Sequence, residues 1–375
     1  MTLLLPGLLL LLLLLLLLAG AALGSAAAPP PVKFMAAAGS AIQVLQRHFY
    51  MRSPGSWIGH GPGNGTGRYD LCTSNASQSC KCNGYQGNWV RANTVEALAN
   101  YQLLSGDQQF DQVIEASWPQ QGFEINSAAP FDCDPNAKGD GQAMNHGDPG
   151  WPYYDDILWW ALASLRAADM YTQRGEAALA DASTARSEKI FEHVAERAWN
   201  ASAAACGGGI WWSTQRSYKN AIANELFFAT AAKLGKRSWA QKAWDWFEQS
   251  GMINNQSLIN DGLGSDCRNN HATTYTYNQG VILGGLSQLH AMTRNASLLI
   301  QAGEIIDAVL EHLTDENGVL TEVDCGDGSL FKGIFVRYVA AALIAHHTHH
   351  NMIPWALALL CSSPSGRNFV LFTAT

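Results

Sequence analysis

The chain has 375 residues, is 47% hydrophobic and carries a net charge of −8 at pH 7. That length suits one large domain or two or three average ones, with enough apolar material for a substantial core. The acidic balance, with no basic stripe, argues against a nucleic-acid partner, because phosphate binding needs clustered Lys and Arg.

The chain begins with an uninterrupted leucine run, Leu8 to Leu18, followed by small residues and then Pro29, Pro30 and Pro31. An apolar stretch that ends in small residues reads as a secretory signal peptide. The stretch Leu3 to Leu23 lacks Lys and Arg and is about long enough to span a bilayer, so a retained signal anchor is the alternative. The expected organisation is therefore a signal over 1–28, one domain over 29–350 and a divergent tail over 351–375. Export fits the eight cysteines, Cys72, Cys80, Cys82, Cys133, Cys206, Cys267, Cys325 and Cys361, all of which follow the signal. An even count in an oxidising compartment predicts disulfides. Cys80 and Cys82 lack the spacing of a zinc knuckle, and no matching pair follows, so no metal is expected. Sequons at Asn64, Asn75, Asn200, Asn255 and Asn295 agree with secretion.

Beyond the signal, helical periodicity alternates with Gly-rich and aromatic-rich loops. Helices are predicted over 36–51, 89–105 and 107–117, separated by a loop around 57–67 that is too rich in Gly for regular structure. An irregular segment over 119–150 carries Cys133, Asp132, Asp134 and Asp140, loop acids of the kind that are usually solvated. Further helices are predicted over 152–171, 177–199, 219–234, 238–249, 275–292, 297–313 and 332–347, with short hairpins near 209–213 and 318–322. Consecutive helix pairs without a linker predict an all-α fold, a single α/α toroid rather than a strict solenoid. The His-rich run from His346 to His350 falls at a helix end, where cationic side chains suit the dipole.

The helix that opens near Pro152 carries the adjacent acids Asp155 and Asp156 in its first turn, crowded by Tyr153, Tyr154, Trp159 and Trp160. Acids there commonly do no more than complement the helix dipole. Paired carboxylates amid aromatics also suit glycosidic-bond chemistry, in which one group protonates the leaving oxygen and the other attacks or activates water. Neighbours on a helix diverge by about 100°, so the two acids can reach different sides of one bond. Their proximity favours retention of configuration, and burial beside Tyr153 or Trp159 can keep one acid protonated while the helix N-terminus keeps the other charged.

The block Tyr154-Asp-Asp-Ile-Leu-Trp-Trp-Ala-Leu-Ala resembles the Asp-Asp helix of glycoside hydrolase family 76, the endo-α-1,6-mannanases. Four further blocks follow in the family's order: Gly208-Gly-Ile-Trp-Trp, Lys219-Asn-Ala-Ile-Ala-Asn-Glu-Leu-Phe-Phe, Tyr275-Thr-Tyr-Asn-Gln-Gly-Val-Ile-Leu-Gly and Phe331-Lys-Gly-Ile-Phe-Val-Arg-Tyr. The resemblance covers roughly residues 35 to 347 and implies an (α/α)6 barrel and an endo cut in α-1,6-mannan. It also implies Asp155 as nucleophile and Asp156 as general acid/base. Tyr154, Trp159, Trp212, Asn220, Asn224, Thr276, Tyr277, Asn278 and Gln279 are the candidates to contact sugar, as flat ring faces or as donors and acceptors for hydroxyls. The structural alternatives are plain core packing for the rings and capping or loop support for the amides and hydroxyls. Lys332 and Arg337 suit salt bridges as well as substrate.

The family pattern departs at the end, where a further helix pair is expected and residues 351–375 run instead through a short, interrupted apolar stretch. An incomplete last helix pair is therefore expected. The implied partner is a mannan polysaccharide or another mannose-containing glycan, acted on by a monomer that needs no cofactor. Outside the cell or at its surface, hydrolysis, transfer of the mannosyl group to another sugar in wall assembly, and carbohydrate binding without turnover are the three functions such a chain serves.

Overall fold

The computed structural model describes residues 38–40, 42–43, 50–51, 56–57, 88–118, 153–322 and 327–346. The expected signal, both expected domain boundaries, the loop acids at 132, 134 and 140, the tail, and the sequons at Asn64 and Asn75 lie outside them. So do Cys72, Cys80, Cys82, Cys133, Cys325 and Cys361, and residues 347–350 of the His-rich run.

The chain divides into two compact units, Met35–Trp199 with Trp211–Ser217, and Asn200–Ile210 with Tyr218–Thr375 and Met1–Phe34. The first unit holds strand β1 (Tyr50–Met51), paired antiparallel with β2 (Ser56–Trp57). Its helices are α1 (Asn88–Ser105), α2 (Asp111–Ser117), α3 (Tyr154–Gln173) and α4 (Ala177–Ala198). The helix predicted over 36–51 thus gives way to a strand at its end. Pro54 and Gly55, turn formers, stand between two β-prone aromatic segments.

Helix α3 packs on both α1 and α4, and its residues are buried on every side, from Ile157 and Leu158 through Ala161, Ala163 and Ala167 to Met170. A helix that is apolar all round belongs in a core. Helix α4 has one apolar stripe, formed by Ala180, Ile190, Phe191, Val194 and Ala198, and covers α3 with it. Helix α2 starts later than the predicted 107. Gly106 takes φ +73°, and the carboxylate of Asp107 accepts the Gln109 N–H at 2.8 Å, so this stretch is a turn. The buried Gln102 of α1 then ties the two helices together. Its Nε2 donates to Asp111 at 2.6 Å and its Oε1 accepts the Phe110 N–H at 2.7 Å.

The second unit holds α5 (Ala221–Lys233), α6 (Arg237–Gln249), α7 (Thr276–Thr293), α8 (Ser297–His312) and α9 (Gly328–His346). Helices α5 and α7 are buried all round, whereas α6 shows a single stripe of Ala240, Ala243, Trp244 and Phe247. Helix α7 packs against α5, α8 and α9. Its glycines permit this: a Cβ on Gly280 would lie 2.6 Å from the Phe335 Cα, and one on Gly285 would enter the Phe228 ring. The loops before α5 and α7 are cross-linked by a disulfide between Cys206 and Cys267. Trp246 lies against Gly208 and Gly209, with its Nε1 donating to the Cys206 carbonyl at 2.9 Å. Of the run predicted as a hairpin at 209–213, Gly209 pairs locally, its carbonyl accepting the Asn200 N–H at 3.0 Å, while Ser213 pairs with Tyr153. Leu320 bridges Thr314 as a local turn requires.

Candidate active site

The first turn of α3 is set by its entry segment. Tyr153, the residue before the helix, is extended, with φ −106° and ψ 128°, and makes an isolated antiparallel bridge with Ser213. The Tyr154 N–H, one of the orphan donors of a helix start, goes to the Trp212 carbonyl at 2.8 Å. Two strands of main chain thus run side by side and place the Trp212 side chain over the acids.

Asp155 is half-buried, and both of its carboxylate oxygens are engaged. Oδ2 accepts the Trp212 indole N–H at 2.9 Å, and Oδ1 accepts the Asp156 main-chain N–H at 3.0 Å. Both donors, together with the positive end of the helix dipole, favour a negative charge on Asp155. Asp156, also half-buried, follows it on the helix. The Tyr153 ring lies against the Trp212 ring, with centroids 4.6 Å apart. Burial, then the charges of Asp156 and Asp155, push the Tyr153 phenol from 10.0 up to about 12, so it keeps its proton beside two carboxyls.

Of the candidate residues, the structure brings Asp155, Asp156 and Trp212 together in this unit. Tyr154 and Trp159 are each 2% exposed and pack in the core, where Trp159 meets Trp89. Trp159 stands four residues after Asp155 and three after Asp156, on the same face of α3 but a turn further along, where the helix has entered the core.

In the second unit, three of the four candidate amides are spent on protein backbone. Asn220 caps α5 by accepting the Ala223 N–H. Asn224 accepts the Ile210 N–H at 2.7 Å and donates to the Ile210 carbonyl at 3.1 Å, which completes a strand-like pairing with a loop residue. Gln279 does the same with Ile259, at 2.8 Å in both directions. Thr276 donates its N–H and its hydroxyl to Glu322, both at 2.7 Å, so the acid caps α7 from another loop. Tyr277 is half-buried and stacks on Phe331 at 3.8 Å. Asn278 is fully buried, and its amide has no hydrogen-bond partner among the described residues.

Sequence reasoning missed three features. Tyr153 was legible only as one aromatic among several, because nothing in the sequence pairs it with Trp212. Buried Lys219 donates its Nζ to the carbonyls of Asn200, Ala205 and Gly208, which holds the loop that leads to the Trp211-Trp212 segment. Glu225 is completely buried, with no hydrogen-bond partner for either oxygen among the described residues. Nearby, Asp261 accepts the Tyr218 hydroxyl at 2.5 Å, and Tyr218 in turn accepts from Asn270 at 3.0 Å.

Residues 64–361 match the family model of Glycosyl hydrolase family 76. Among curated proteins, a putative mannan endo-1,6-alpha-mannosidase of Schizosaccharomyces pombe is 27% identical over 241 residues, 56% of this chain and 53% of that protein. The mannan endo-1,6-alpha-mannosidase DCW1 of Saccharomyces cerevisiae is 27% identical over 292 residues, 71% of this chain and 60% of that protein. The chain therefore spans between half and three-fifths of the length of these two relatives. Among solved structures, the GH76A alpha-1,6-mannanase from Salegentibacter sp. HEL1_6 superposes with a TM-score of 0.62 at 19% identity, covering 87% of this chain and 85% of that one. A variant of that enzyme inactivated at two consecutive aspartates, in complex with alpha-1,6-mannotriose, gives 0.63 at 18% identity, covering 88% and 86%. The likeness shows a shared fold, the all-α (α/α)6 class expected from the sequence.

Proposed function

The chain belongs to glycosyl hydrolase family 76, and from that premise we propose that it is an exported glycosidase that cleaves α-1,6-mannosidic bonds within mannan, with retention of configuration. The observation that carries this reading is the pair Asp155 and Asp156 at the N-terminus of α3, with the Trp212 N–H on Asp155 and the Tyr153–Trp212 ring pair beside them. It is the one pair of adjacent aspartates in the sequence. The similar enzyme inactivated at two consecutive aspartates while holding alpha-1,6-mannotriose supports the same assignment.

In this reading, Asp155 attacks the anomeric carbon of a mannosyl unit as the bond to the leaving O6 breaks, and Asp156 gives its proton to that oxygen. Asp156 then takes a proton from water, which attacks the same carbon and releases Asp155 as a carboxylate. Inversion twice at one carbon retains configuration. Trp212 presents its ring to sugar. Export is supported by the leucine-rich start and by Asn255 and Asn295, sequon asparagines that are exposed at turns. Among the described residues no helix is long and apolar enough to cross a membrane.

The test is release of oligosaccharides from linear α-1,6-mannan by the secreted protein. Asp155→Asn and Asp156→Asn are each expected to reduce cleavage by at least roughly 10³-fold while the protein stays folded, since paired catalytic carboxyls act as a unit. Near-wild-type cleavage by either variant removes the assignment. Adding a mannoside acceptor separates hydrolysis from transfer, since a transferase passes the mannosyl group to it. Binding of mannotriose without turnover points to a carbohydrate-binding protein.

A further inference from the structure

We propose that Trp212 is a positioning residue for the Asp155 nucleophile, held in place by Tyr153 rather than acting only as a flat surface for sugar. The inference rests on the assignment of Asp155 above. Tyr153, Asp155, Asp156, Trp212 and Ser213 all belong to one unit. A single N–H donor fixes the distance to a carboxylate, but two donors on different oxygens fix its plane, and Asp155 has both, at 2.9 Å and 3.0 Å. The Trp212 donor is itself held from three directions. Its carbonyl accepts the Tyr154 N–H at 2.8 Å, the next residue, Ser213, pairs with Tyr153, and its ring lies against the Tyr153 ring. An indole anchored only to bind sugar does not need its N–H aimed at the acid.

The chemistry uses such a donor twice. Before the first step, it keeps the carboxylate from turning towards other donors, so that one oxygen lone pair stays aimed at the anomeric carbon. In the second step the bond between Asp155 and that carbon breaks, and Asp155 takes the bonding electron pair. The indole N–H is already in place to stabilise the charge that develops on the departing carboxylate. No reagent beyond substrate and water enters either step.

Trp212→Phe removes the N–H and keeps an aromatic ring. On α-1,6-mannan the expected result is a fall in kcat of about 10- to 100-fold, the size of one lost charge-assisted hydrogen bond, with KM unchanged or lower. A raised KM with kcat unchanged makes Trp212 a sugar platform only and overturns the proposal, as does wild-type kinetics. A second measurement needs no turnover. The Trp212 indole N–H resonance, identified by its loss in Trp212→Phe, is expected to move upfield in Asp155→Ala. A resonance that stays in place overturns the clamp. Failure of the function reading appears separately, as a wild-type chain that does not cleave mannan while this resonance still responds to Asp155.

Discussion

Glu225 sits one turn into α5, fully buried, with a carboxyl that no described residue pairs. Burial, with the negative charge of Asp261 added, pushes it well above its usual 4.5. Between that usual value and the raised one, the folded chain holds a proton that the unfolded chain has released. Folding stability therefore falls as pH rises through the window, and is fullest at and below pH 4.5 for this group. Asp261, raised by burial, acts in the same direction. Glu225→Gln keeps the shape and removes the titration. Urea unfolding at pH 5 and pH 8 is expected to show a smaller loss of stability across that interval than wild type shows; an equal loss refutes the reading. Asn224 and Gln279 read as sugar-facing amides, yet each exchanges a pair of hydrogen bonds with one loop residue. An amide has the same donor and acceptor for a sugar hydroxyl as for a peptide group, so composition and spacing do not distinguish the two uses.

At the scale of elements, most helices were legible because their apolar spacing is strong, and the ends moved where local chemistry decides. Asn220 caps α5, Tyr275 precedes α7, and the Asp107 turn delays α2. What the sequence did not reveal is how closely the buried helices approach. In a solvated helix, Gly→Ala gains roughly 1 kcal/mol of propensity. At Gly280 the new Cβ would meet the Phe335 Cα at 2.6 Å, and main chain cannot swing aside as a side chain can. Overpacking costs about 1–3 kcal/mol and outweighs the propensity gain, so Gly280→Ala is expected to lower the melting temperature. Among the described residues nothing lies within 4 Å of a Cβ added to Gly333 on α9, so Gly333→Ala is expected to leave the melting temperature unchanged or raise it. Thermal melts of the two variants that moved in the same direction would contradict the close packing of α7 on α9.

For the molecule as a whole, consecutive helix pairs without a linker were written in the hydrophobic pattern, and they predicted the all-α class. Secretory context likewise predicted disulfides, and the Cys206–Cys267 bridge closes 61 residues of sequence separation across the loops before α5 and α7. Loop entropy gives such a link about 4 kcal/mol. Cys206→Ser with Cys267→Ser is expected to lower stability by roughly 2–5 kcal/mol in calorimetry, and reductant should then have less effect on the variant than on wild type. A double variant as stable as wild type places the loops' stability in their hydrogen bonds alone. By itself the sequence determined the class of fold, the position of the Asp-Asp pair at a helix start and the five blocks that resemble the family. Only the tertiary structure decided which ring serves the acids and which fills the core. Trp159 and Trp212 are the same residue type in similar aromatic surroundings, and periodicity speaks of faces within one helix. The hydrogen bond from Trp212 to Asp155 joins residues 57 apart in sequence, and a contact of that range exists only once the chain has folded back on itself.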